Sequence, residues 1–318
     1  MLRRVTAVSL ACLLAAGLVP PFEAGAAPAA GCARHAPQTA GSRMPALHPD
    51  PRSPRPRSPG PRRPGPRSPK PEDVAKVMAE LDERLAGVTP PSQITVPTRV
   101  HLISRGPDRL VSDQTVLAQI DALNHAYAGT YGGVDTGVRF RLDGISVKQS
   151  AAWFADPIGN EKAMKTALHE GGADTLNLYI AQLSELMLGF ASYPYWYAGT
   201  PRLDGVVIDW RSLPGGAMTN YNKGFTGVHE IGHWLGLFHT FENGCAEPGD
   251  GIDDTPAEAR PTQACPQDKD TCAAREGKDP AHNFMDYAHD RCMWEFTQGQ
   301  AERMHQMWAA FREAPPAA

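Results

Sequence analysis

The chain has 318 residues, 42% of them hydrophobic and 21% charged, with a formal net charge of −4. These values suit a soluble globular protein and exclude a chain too polar or too short to bury a core. Arg3 and Arg4 precede an apolar run over residues 5–19, followed by small residues ending in Ala24, Gly25 and Ala26. That pattern predicts a secretory signal over 1–26, cut near Ala26. A span needs about 20 apolar residues, more than this run offers, so a membrane anchor is the weaker reading. Acylation of a lipoprotein cysteine fits neither Cys12, inside the run, nor Cys32, which lacks the usual leucine before it. No other stretch approaches transmembrane length, so the mature chain is expected to be extracellular, with no membrane partner.

Residues 27–71 are expected to be a pro-segment or a linker. Between 45 and 71 stand eleven prolines and almost no apolar side chains, which cannot build a core and favour an extended polyproline-like spacer. Residues 51–70 carry seven Arg or Lys and no acid, which leaves −11 for the rest of the chain. Cleavage at Arg62-Arg63 would make the segment a removable pro-region. Its positive charge would attract polyanions, but no aromatic side chains are interleaved with it, so no nucleic-acid partner is expected.

The remainder, 72–318, reads as one domain with an upper part to 236 and a lower part from 237. Residues 72–86 are predicted to be helical, "ITVPTRVHLIS" (94–104) a strand, and 113–128 a helix through Val116, Ile120, Leu123 and Tyr127. "VRFRLDGISV" (138–147) alternates like a strand, 160–169 forms a short helix, and "TLNLYIAQL" (175–183) and "DGVVIDW" (204–210) are buried strands. Strands alternating with helices predict a mixed sheet packed by helices. Beyond His239 the chain turns to Gly, Asp, Pro and Cys in loops, then to a last helix from near Thr297 through Met304 and Met307 to about Phe311.

Residues 229–239 read "HEIGHWLGLFH". On a helix of about 100° per residue, His229 and His233 lie roughly 40° apart on one face. Val228, Ile231, Trp234 and Leu235 fall on the other and face a core. His229, Glu230, His233, Gly236 and His239 together make H-E-x-x-H-x-x-G-x-x-H, whose chance occurrence in such a chain is on the order of 10⁻⁵. Gly236 can take a left-handed turn that ends the helix and returns His239 to the other two rings. Three imidazoles with an open fourth position suit one catalytic Zn²⁺, whereas a purely structural site would close that position. Glu230 is the candidate general base and acid. A catalytically silent, metal-stabilised adhesion protein is the rival reading, and Glu230 argues against it.

Four of the six cysteines, Cys245, Cys265, Cys272 and Cys292, cluster near the C-terminus. In an exported chain they suggest two disulfides, with three pairings open; no Cys-x-x-Cys pair points to a cysteine zinc site.

The histidine pattern is the metzincin signature, and "LGFASYP", "DGVVI", "HEIGHWLGLFHTF", "GDGIDDTPA", "DTC" and "NFMDY" follow in the order found in pappalysin-type zinc metallopeptidases. The chain resembles that family over roughly 190–310. The resemblance implies an α+β fold whose N-terminal part is α/β-like: a mixed twisted sheet with backing and active-site helices, then an irregular disulfide-linked C-terminal subdomain ending in a helix. It implies protein or peptide substrates for a monomeric zinc endopeptidase. Met285 would be the turn methionine, Tyr287 a stabiliser of the tetrahedral intermediate, and Gly189, Phe190 and Ala191 the edge strand that pairs with a peptide. It further implies disulfides Cys245–Cys272 and Cys265–Cys292, and calcium near Asp250, Asp253 and Asp254. Cys32 would be a zymogen zinc ligand, with an idle thiol as the alternative. Relatives that prefer a basic residue after the scissile bond carry an acid just before the cysteine that follows the turn. Here that place holds Arg291, so the preference does not transfer from the pattern.

Overall fold

A five-stranded sheet, its inner strands buried on both faces, organises the described residues, 71–184 and 187–313 of the computed structural model. The expected signal, most of the Pro/Arg-rich segment and Cys32 lie outside them. The chain separates into units Met1–Pro56 and Arg57–Ala318, and all described residues fall in the second.

In chain order the regular elements are α1 (Pro71–Leu85), β1 (Ile94–Ser104), α2 (Asp113–Tyr127), β2 (Val138–Gln149), α3 (Ala151–Ala155) and α4 (Glu161–Leu168). They continue as β3 (Leu176–Ala181), β4 (Gly189–Ala191), β5 (Val206–Asp209), α5 (Phe225–Trp234) and α6 (Gln298–Met307). The sheet order is β2-β1-β3-β5-β4, all parallel except β4, which runs antiparallel to β5 at the edge. This is the mixed sheet of an α+β chain.

Two-residue periodicity decides which core each side chain enters. Leu176, Leu178 and Ile180 of β3 join Val206 and Ile208 of β5 in the larger core, which α2 and α5 cover. Tyr179, Ala181 and Val207 point the other way, to Phe154 of α3 and Met164 of α4. Each fully buried Leu, Ile or Val is worth about 1.5–3 kcal/mol over exposure, so a one-residue slip of β3 would be costly. α2 begins where Ser112 accepts the Thr115 amide, and buries Val116, Ile120, Leu123 and Tyr127. The sequence pattern passes over α3, because five residues are too few to show a period; Ser150 caps it through the Trp153 amide. At the other end, α6 stops at Met307 and Trp308–Arg312 continue as a wider π turn.

That turn carries a buried ion pair. Arg312, fully buried, reaches Asp204 at 3.1 and 3.2 Å, donates to the Trp234 carbonyl at 2.8 Å and stacks on the Trp234 ring. A cation at the C-terminal carbonyls of α5 also opposes the helix dipole there.

From Leu235 to Phe296 there is no α-helix and no strand beyond an isolated bridge of Asn283 with Glu295. Polar side chains and cross-links hold this lower part. Disulfides join Cys245 to Cys272 and Cys265 to Cys292, each closing a separation of 27 residues. Buried Glu258 accepts from Thr240 at 2.8 Å and Thr262 at 3.1 Å and pairs with Lys269, which also binds Asp279 at 3.0 Å. Asp286 accepts the Thr262 amide at 2.8 Å.

Candidate active site

The active-site helix is α5, and each of its ten residues is buried, the histidines and Glu230 included. After Trp234 it ends in a Schellman turn: Gly236 at φ +97° donates to His233 O, and Leu237 donates to Gly232 O, both at 2.9 Å. The reversal brings His239 back to the helix. His233 Nε2 lies 3.2 Å from His229 Nε2 and 3.1 Å from His239 Nε2.

The opposite ring nitrogens explain how this is held. His229 Nδ1 donates to Phe284 O at 2.7 Å and His233 Nδ1 donates to Leu237 O at 2.8 Å, while His239 Nδ1 faces Glu242 at 3.5 Å. A carbonyl can only accept, so the hydrogens of the first two rings sit on Nδ1 and their Nε2 atoms present bare lone pairs. Burial pushes His233 well below its ordinary value, with His239 adding to the effect, and His239 down to about 3. Nitrogen lone pairs converging at such distances repel one another unless a cation lies among them. The donor set therefore fits a three-histidine zinc site whose ligand orientation is fixed by outer partners. Among the described residues it is the one group of three His, Cys, Asp or Glu side chains whose ligand atoms converge.

Met285 packs under the helix, its sulfur filling the space where a Gly232 side chain would stand. Tyr287 places its hydroxyl 3.0 Å from His239 Nε2. Glu230, His229 and Tyr287 line one cleft with Leu188, Gly189, Tyr221, Phe225 and Asp290. Gly189, Phe190 and Ala191 form β4, so the open edge of the sheet runs beside this cleft.

Residues 172–309 match the peptidase family model described as pregnancy-associated plasma protein-A. An extracellular metalloprotease of Arthroderma benhamiae is 39% identical over 231 residues, covering 70% of this chain and 75% of that protein. One from Pyricularia oryzae is 42% identical over 228 residues, covering 70% and 77%. The chain belongs to the pappalysin family of zinc metallopeptidases. Its fold is also that of mature mirolysin from Tannerella forsythia, solved with a cleaved peptide: TM-score 0.59 and 26% identity, covering 71% of this chain and all of that one.

Within this pappalysin framework, other candidate residues have separate destinations. The Arg291 side chain lies on the Cys265 sulfur at 3.2 Å, while its neighbour Asp290 lines the cleft. Asp290 is buried, its Oδ2 accepting the Lys223 amide at 2.7 Å; burial pushes it up to about 6 against the Lys223 and Phe225 amides that favour its charged form. Residues 290–292 form a 3-10 turn, and that turn decides which neighbour faces in. The aspartates of "GDGIDDTPA" do not converge as one cluster. Asp254 accepts the Gly299 amide in the first turn of α6 at 2.8 Å. Asp250 is buried, with Oδ1 held by Ile252 and Thr255 and Oδ2 unpartnered, and burial raises it to about 7.

Proposed function

We propose that the chain is a secreted, monomeric endopeptidase that cleaves extended segments of proteins or peptides with Glu230 as general base. The convergence of three Nε2 atoms, two of them locked by Nδ1 bonds to carbonyls, carries this reading. His229, His233 and His239 would hold the zinc. When bound, that ion supplies Lewis-acid polarisation and lowers the pKa of a nearby water toward about 7. Glu230 takes a proton from the attacking water and returns it to the departing amine. Tyr287 donates its hydroxyl hydrogen to the oxyanion as it develops. Met285 supports the helix beneath the histidines, Gly236 sets the return of His239, and β4 adds the peptide as a further strand through backbone bonds.

Asp290 gives the cleft a buried carboxylate, which favours a substrate side chain that donates hydrogen bonds or carries positive charge. Elsewhere in the lower part, the unpartnered Oδ2 of Asp250 supports calcium beside Asp253; a melting temperature indifferent to calcium removal would refute it. Secretion is supported by extracellular relatives, and no described helix is long and apolar enough to cross a membrane. In the precursor, Cys32 would occupy the open zinc position; a Cys32→Ser precursor as latent as wild type removes that role. N-terminal sequencing and light scattering of the secreted protein test processing and monomeric state.

The central experiment is Glu230→Gln. Zinc content should stay at one ion per chain while kcat falls about 10²–10⁴-fold, the range of general acid–base catalysis. Retained turnover would sink the assignment.

A further inference from the structure

One short segment beside the cleft meets the active-site helix at Glu230 and His233 and, through Asp204, at Trp234, three positions that share a helix face. Gly189 comes first. A Cβ built on it would stand 2.5 Å from Glu230 Cγ and 2.8 Å from both Cδ and Oε1. Gly189 lies in a strand, paired with Ile208, so its backbone would admit any residue; the Glu230 side chain is what forbids one. Because Cγ is only two bonds from the helix backbone, relief requires the whole carboxylate to swing out of its place.

Three residues on, Ser192 donates to Asp204 at 2.7 Å, and the other oxygen of Asp204 accepts the Trp234 indole hydrogen at 2.9 Å. Tyr193 follows, buried, its hydroxyl oxygen 3.1 Å from His233 Nδ1. That N–H, already directed at Leu237 O, gains a second acceptor. The Tyr193 ring is packed among Tyr195, Trp196 and Phe238 at centroid distances of 5.0–5.5 Å, which fixes where the hydroxyl stands.

We propose that residues 189–193 are a positioning template for the active-site helix: Gly189 seats the Glu230 carboxylate, and the Tyr193 hydroxyl orients the His233 ring. The inference rests on Glu230 as base and His233 as zinc ligand. A peptide that adds to β4 is then registered against the same segment that seats the base, so substrate alignment and base alignment are set together.

Gly189→Ala and Tyr193→Phe in the full chain test this, with zinc affinity measured by chelator competition and ligand geometry by the absorption spectrum of the cobalt-substituted protein. Gly189→Ala should lower kcat about 10²-fold, the scale of a 1 Å misplacement, with KM and zinc affinity near wild type. A strand that only pairs with substrate would instead raise KM at unchanged kcat, and that result overturns the role of Gly189, as does full activity. Tyr193→Phe keeps the ring packing and removes one acceptor. It should weaken zinc about 10-fold, shift the cobalt spectrum and leave the melting temperature of the zinc-free protein unchanged. Wild-type zinc affinity and spectrum would overturn the template, and they decide the matter if Gly189→Ala does not fold. Failure of the underlying reading is separate, since it appears as turnover in Glu230→Gln.

Discussion

His229, Glu230 and His233 ride on a helix buried against the larger core, whereas His239, Met285 and Tyr287 come from segments with no helix or strand of their own. On the upper side, apolar side chains entering the sheet at two-residue intervals hold the site, and many contacts share the task. On the lower side a few specific bonds do so: two disulfides, the Glu258–Lys269–Asp279 cluster, and the Asp286 carboxylate that accepts both the Thr262 and Tyr287 amides. Distributed burial tolerates single losses better than a sparse network of directed bonds. Precision on the lower side should therefore be easier to break without unfolding the upper side.

Three perturbations sharpen this contrast, from the largest effect downward. Tyr287→Phe removes one lower-side donor and should cut kcat about 10²–10³-fold, the cost of one oxyanion-hole donor, with zinc content and melting temperature unchanged; steady-state kinetics read it. Replacing Cys265 and Cys292 together by serine should cost about 2–5 kcal/mol by denaturant titration. Hydrogen exchange should rise first in the lower part, and equal loss of protection in β3 would erase the distinction between the regions. Asp290→Asn should reduce the proposed preference for a positively charged substrate side chain about 10–100-fold, the worth of a charged hydrogen bond. The same preference has a predicted pH dependence. Asp290 is raised to about 6, so its charge, and with it the discrimination, should fade as pH drops through 6. Peptide-library profiling at two pH values checks both statements.

The same division governs how much the amino-acid sequence reveals. Upper elements were legible to within a few residues because period and caps are local: Val116, Ile120, Leu123 and Tyr127 announce α2, and short, mostly apolar runs announce β3 and β5. The zinc-binding pattern was legible because its ligands lie within eleven residues and Gly236 marks the reversal. What stayed hidden depends on distant partners. Nothing near Asp204 points to Arg312, 108 positions away, and nothing near Tyr193 points to His233, 40 away. Position 291 drew attention while Asp290 faces the cleft, because a 3-10 turn, invisible to periodicity, chooses between neighbours. The acids of "GDGIDDTPA" suggested one shared task, yet Asp254 serves the start of α6.

Arg312 binds Trp234 O and Asp204, residues that precede it by 78 and 108 positions. A nascent chain must therefore reach residue 312 before the catalytic helix is fastened at its zinc-binding end. Until then Asp204 lacks its counter-ion, a deficit of about 3–5 kcal/mol if the carboxylate is buried. A protease built this way completes its cutting edge only once residue 312 has joined the fold; chains truncated before it should accordingly be inert.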